Sequence, residues 1–320
     1  MKQQSFEKKY QQNWLKIETI LNEPSGKNQH LFPRFFRNLC HQLAVAKNRH
    51  YSPQLIDRLN SLAMKSHHQF YQHNNRHYFQ WLSFFVWGFP DALRRNSTYV
   101  FTALALFLFP LIGMALACYF NEEFIFSFLS VADVTEIESM YDPTNFKIGR
   151  ERNSDTDIMM FGYYIKNNIG ISFQTFASGI FFGLGSVFFL IFNGLALGGV
   201  AGHLTQLGYT DTFYPFVVGH GAFELTAIVF SGAAGLKLGY ALINPGNLSR
   251  VEALKLAGRD AVLIVYGAML MLIIAAFLEA FWSSSTFIPI SVKYTVGGCF
   301  WLLVCYYSLF SGKRRESQPY

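Results

Sequence analysis

TYVFTALALFLFPLIGMALACYF, residues 98–120, contains no Asp, Glu, Lys or Arg. A helix that crosses a bilayer core needs about 20 mostly apolar residues, since each residue advances about 1.5 Å and every backbone amide must be satisfied within the segment. Residues 98–120 meet that condition, so the first reading of the chain is a helix whose solvent is lipid.

The rest of the sequence agrees with this start. The 320 residues are 51% hydrophobic and only 14% charged, with 34 phenylalanines, too greasy and too poor in charge for an ordinary soluble domain. Residues 1–97 are rich in Gln, Asn, His, Lys and Arg, whereas most of 98–312 is apolar and glycine-rich. Asn167 to Thr210 again lacks any charged residue. That run is about twice the length one span requires, so it reads as a helical hairpin with its turn at Gly179, Gly183 and Gly185.

The expected fold is therefore all-α: a polytopic helical membrane protein of about six transmembrane helices with a cytoplasmic helical N-terminal region. The spans are placed at 98–120, 160–182, 185–206, 213–238, 261–281 and 294–310. They form a transmembrane domain over 98–312, followed by a cytoplasmic tail at 313–320. The N-terminus lacks the apolar core and small-residue cleavage site of a secretory signal, so the first span is expected to act as an uncleaved membrane signal.

Charge sets the orientation, because cytoplasmic loops retain Lys and Arg. Residues 1–97 carry 14 Lys and Arg against 5 Asp and Glu, a net of +9. Residues 121–158 carry 9 acidic residues against 3 basic ones, a net of −6, which places this loop outside. Alternation returns Arg250, Lys255 and Arg259, and then Lys313, Arg314 and Arg315, to the cytoplasm. The predicted location is a bacterial inner membrane with both termini cytoplasmic. The basic arm is explained by anionic lipid headgroups beside a span, so nucleic acid is not an expected partner.

In the arm, Trp14, Ile17 and Leu21, then Leu39, Leu43 and Val45, then Leu55, Leu59 and Leu62 recur at helical spacing and predict amphipathic helices. Residues 78–89, with Trp81, Phe84, Phe85 and Trp87, are too short to cross and read as an interfacial elbow. His41, His67, His68, His73 and His77 have no acid or cysteine at ligand spacing on the same helix face, so no metal site is assigned to them. The four cysteines, Cys40, Cys118, Cys299 and Cys305, support neither a disulfide framework nor a zinc motif.

Polar residues at membrane depth are the candidate site. His220 and Glu224 stand four apart in GHGAFEL, residues 219–225, and share one helix face. Asn168, Asn193 and Glu279 join them in the intramembrane cluster, with Gln174 and Asp260 also at membrane depth and His203 placed close to the outer interface. An imidazole and a carboxylate in lipid are costly unless paired or watered, which leaves three readings. They could lock helices together, helped by small residues at helix contacts: Gly179, Gly183, Gly185, Gly194, Gly198, Gly232, Gly235 and Gly239. They could line a transport path, or they could be the acid and base or the ligands of an intramembrane enzyme. There is no His-Glu-x-x-His, no Gly-x-Ser-x-Gly turn and no phosphate-cradling glycine loop, so no catalytic residue, metal or cofactor is assigned.

Gly183-x-Gly185, Asn193-Gly194 and Gly198 are followed by His220-Gly221-x-x-Glu224-Leu225 and Gly232-x-x-Gly235-Leu236-x-Leu238-Gly239. With Leu59-Asn60-x-Leu62, His67, Tyr71 and Phe89-Pro90 in the arm, the sequence resembles the stage II sporulation protein M family over nearly its whole length, in the Gram-negative form with a long helical arm. Where such arms present an Asp-Leu pair this chain has Gln42-Leu43. The resemblance implies a multi-span protein without an established catalytic activity, acting as an envelope scaffold or assembly factor. It also implies partners: the lipid bilayer, other membrane or envelope proteins including a MoxR-type ATPase and von Willebrand factor A-like proteins, and further copies of the chain. A transporter or channel-like protein built around His220 and Glu224 is the second expectation.

Overall fold

The computed structural model describes residues 2–22, 32–72, 81–144, 157–285 and 287–311, and among them there is no strand. The chain divides into two compact units, Met1–Leu82 and Ser83–Tyr320. The division falls before the boundary read from composition at residue 97, because Ser83–Arg95 packs with the apolar helices.

The first unit holds α1 (Gln3–Asn22), α2 (Phe32–Asn48) and α3 (Pro53–Gln72). Their apolar stripes close on a core of Phe6, Trp14, Ile17, Leu39, Leu55, Leu59 and Leu62. Trp14 is 1% exposed, and a buried indole N–H must find an acceptor. It donates to Gln42 Oε1 at 2.7 Å, across from α1 to α2. A neutral glutamine at that position is therefore a packing group. Arg58 lies over the same indole and pairs with Glu18 at 3.1 Å. His73 and His77 lie outside the described residues.

The second unit starts with a wide π turn, Phe84–Gly88, and α4 (Phe89–Arg95). Residues 78–80 of the expected elbow are outside the described residues. At its other end Phe89 is 1% exposed, against Phe230 and Tyr307 in the helix bundle. Its ring fills the space a Cβ at Gly267 would need. Then follow α5 (Ser97–Phe120), α6 (Val131–Tyr141), α7 (Asp157–Ala177), α8 (Leu184–Gln206), α9 (Thr210–Ile243), α10 (Arg250–Phe277) continued by a π segment Leu278–Ser283, and α11 (Ile290–Phe310).

Four of these are long and apolar enough to cross a membrane: α5, α8, α9 and the continuous α10 with its π segment. Helices α7 and α11 belong to the same bundle but carry Lys166, Asn167, Asn168 and Gln174, and Lys293, which dilute their apolar character. The outward residues of the long helices are large and greasy. Phe109 is 77% exposed, and Leu116, Leu184 and Ile273 are exposed as well, as on a surface meant for acyl chains rather than water.

Sequence sets the ends of these elements. Ser130 with Asp133, and Ser249 with Glu252, form capping boxes that start α6 and α10. Between α7 and α8 the chain reverses through Ser178–Ile180 and Phe182, and Gly183 at φ +82° caps α8. Only glycine takes that conformation without strain.

Close packing explains the small residues. A Cβ at Gly194, Gly198 or Gly202 would strike the carbonyls of Phe107, Leu111 and Ala115, so α8 lies backbone to backbone on α5. Gly235 and Gly239 of α9 meet the 176–186 reversal in the same way: a Cβ at Gly235 would enter Ser186 Oγ, and one at Gly239 the Gly183 nitrogen. Gly179 faces Gly235, Gly185 faces Ser178, and Gly232 faces the Leu190 side chain.

Candidate functional site

Helix α9 is buried along most of its length and carries the polar side chains into the bundle. His220 and Glu224 lie one turn apart with Nε2 and Oε2 at 4.0 Å, and both side chains are largely buried. The spacing puts them together, and tertiary packing adds what spacing could not specify. Glu279 of the π segment brings a carboxylate oxygen to the pair, and the three nearest donor atoms all lie within 4.8 Å of one another. A π turn is wider than an α turn, which re-aims side chains and recurs at functional positions.

A second layer fixes the imidazole. His220 Nδ1 is 2.9 Å from Ser283 Oγ. The Ser283 carbonyl accepts from Lys293 Nζ at 2.7 Å, and this lysine, on α11, is only 4% exposed. The ring also meets Phe216 edge to face at 5.3 Å. From α7, Asn168 sits beside Glu224. Asn168 is 2% exposed, its Oδ1 accepts from Asn167, and its Nδ2 lacks a hydrogen-bond partner of ordinary length. Further along the same α7–α9 seam the Ser172 and Ser231 hydroxyls meet at 2.5 Å, and Ser186 of α8 donates to the Thr175 carbonyl of α7. Asn193 is not part of this group by its own bonding: its amide donates to the Phe189 carbonyl of its own helix.

The cluster lies under the helix of the acidic loop. Tyr141, at the end of α6, packs on Phe213 and Phe216, and Phe216 touches His220. Thr212 donates to the Tyr141 carbonyl, and His203 Nε2 meets Glu138 Oε1 at 2.7 Å. So α6 is tied to the ends of α8 and α9 by two polar contacts and an aromatic corner.

A second, partly buried ionic group joins Asp260 to a lysine that the sequence reading did not single out. Lys237 on α9 donates to Asn96 Oδ1 and to Asp260 Oδ2, each at 2.7 Å, and Arg95 stands 3.8 Å from the other Asp260 oxygen. A cavity of about 440 Å³ adjoins it, lined by Tyr99, Lys237, Tyr240, Asn244, Arg259 and Asp260 among others. The signal was available, since a lysine within a membrane-spanning segment requires a partner.

A helical membrane bundle with glycine-mediated backbone contacts and one buried His/Glu/Glu group is the class these features define. Residues 101–284 match the family model described as Stage II sporulation protein M, and residues 4–72 match a domain of unknown function. The first match covers more than half of the chain, and the chain belongs to the Stage II sporulation protein M family. An uncharacterized protein of Methanocaldococcus jannaschii is 30% identical over 122 residues, which are 38% of this chain and 64% of that protein. No solved structure matches the chain.

Proposed function

We propose that this membrane protein is a non-catalytic scaffold or assembly factor of a cell-envelope complex. The observation that carries the reading is the fixed acidic helix α6. Glu138 and Tyr141 hold it to the bundle, while Asp133, Thr135 and Glu136 stay exposed. A charged helix held rigidly at the end of a bundle is a surface ready for a partner, and the separately folded first unit supplies another.

In this proposal α7 and α11 join the four long apolar helices to make six spans. The N-terminal region and the tail are cytoplasmic, and 121–158 faces outward, as the excess of Lys and Arg before residue 97 supports. The membrane is the cytoplasmic one. The partners are envelope proteins, with a MoxR-type ATPase and von Willebrand factor A-like proteins the expected kinds and self-association through glycine-rich faces in addition. The polar cluster then serves to lock α7, α9 and α10 together.

The test is cross-linking and co-purification from native membranes, with the intact chain and with Thr135→Lys/Glu136→Lys. The proposal expects specific envelope proteins to be recovered in fixed ratio with the intact chain and to be lost with the charge-reversed one at equal folded yield. Recovery of no stoichiometric partner, together with solute flux in reconstituted vesicles that Glu224→Gln abolishes, would replace the scaffold by a transporter.

A further inference from the structure

We propose that His220, Glu224 and Glu279 form a binding site for one divalent transition-metal cation, of the kind represented by Zn²⁺. Three observations converge on it. One imidazole nitrogen and two carboxylates present their donor atoms within 4.8 Å of one another, from two elements far apart in sequence. A divalent cation matches the charge of two carboxylates, and in a medium with little water that match outweighs most other terms.

His220 is prepared as a ligand. His220 Nδ1 lies 2.9 Å from Ser283 Oγ, and with Nδ1–H as the donor in that contact the Nε2 lone pair faces the carboxylates. Metal-bound histidines are held in this way by their other nitrogen. The Ser283 backbone is in turn held by Lys293.

The third observation is Asn168. It is 2% exposed and sits beside Glu224, and its amide nitrogen makes no hydrogen bond of ordinary length. A half-turn of that amide would give up the Asn167 hydrogen bond and turn its carbonyl oxygen toward Glu224, where a bound cation would compensate the loss. The donor set also names the class of metal. One nitrogen and two or three oxygens suit Zn²⁺, Mn²⁺ or Fe²⁺ better than the all-oxygen shells of Mg²⁺ and Ca²⁺. Small rotamer changes of the two glutamates would draw the donors to the about 2.0–2.2 Å that Zn²⁺ requires. The ion would clamp α9 to the π segment, with Phe216 and α6 above it.

The site does not depend on the scaffold reading, and its test shares no measurement with the co-purification above. Full-length, tag-free protein in detergent is stripped with chelator and dialysed against Zn²⁺, and bound metal is measured. The expected result is about one Zn²⁺ per chain, with a rise in Tm on loading. Ser283→Ala should weaken binding about 10–100-fold, and Glu224→Gln/Glu279→Gln should abolish both binding and the rise in Tm. Should that double variant fail to fold, Co²⁺ loaded into the wild-type chain must give the visible absorption of low-symmetry nitrogen and oxygen ligation. Wild-type protein with no stoichiometric Zn²⁺, a double variant that binds equally well, or a Co²⁺ spectrum identical to the hydrated ion would each overturn the proposal.

Discussion

Glycine at position 198 has the Leu111 carbonyl where its side chain would be, and Gly235 has Ser186 and the Phe176 carbonyl. Backbone cannot move aside as a flexible side chain can, so Gly198→Val should cost about 1–3 kcal/mol as overpacking, read as a lower Tm in detergent. Asp260→Ala leaves the Lys237 ammonium, 2.7 Å from its former partner, in the bundle. Removing one partner of such a contact should cost about 1–3 kcal/mol, and Lys237→Met in the same chain should return part of that loss. In the first unit, Gln42→Leu keeps the volume but strands the Trp14 N–H, with a similar penalty measurable by denaturant titration. At this scale the sequence is legible wherever the cause is local. The four-residue step that puts His220 and Glu224 on one face is such a case. Glu279 joins them only through the packing of α10 on α9 and the register of a π turn, and Lys237 meets Asp260 only across two helices. Neither distance is encoded in a short window.

Among the elements, α5 was readable outright because an uncharged run of that length has one stable form in lipid. The α7–α8 reversal was readable as well, since Gly183 takes a left-handed conformation there. Helix α6 was not foreseen inside the acidic loop. Its Ser130/Asp133 capping box is a local signal, but the contacts that make it rigid come from His203, Thr212 and Phe216, which follow it by many residues. Its docking is testable by amide hydrogen exchange. In Tyr141→Ala/His203→Ala, residues 131–141 should exchange much faster than in wild type while α8 and α9 keep their protection. Unchanged protection of 131–141 would mean that these contacts do not hold the helix.

For the whole molecule, composition separates a polar arm from a greasy remainder at residue 97, and the contacts divide the chain after Leu82. Phe89, Ala92 and Leu93 lie in the bundle core although the charges Asp91, Arg94 and Arg95 lie among them. Tertiary packing of one buried face outweighs average polarity in such a segment. The first unit has its own core, so residues 1–82 produced alone should be helical by circular dichroism and unfold cooperatively. The exposed Phe109, Leu116, Leu184 and Leu302 make sense only if hydrocarbon surrounds the second unit. Alkaline carbonate extraction of membranes bearing the full chain tests that claim most directly. The chain is predicted to stay with the bilayer pellet, as a protein held by spanning helices must. Its release into the supernatant would contradict a lipid-embedded bundle.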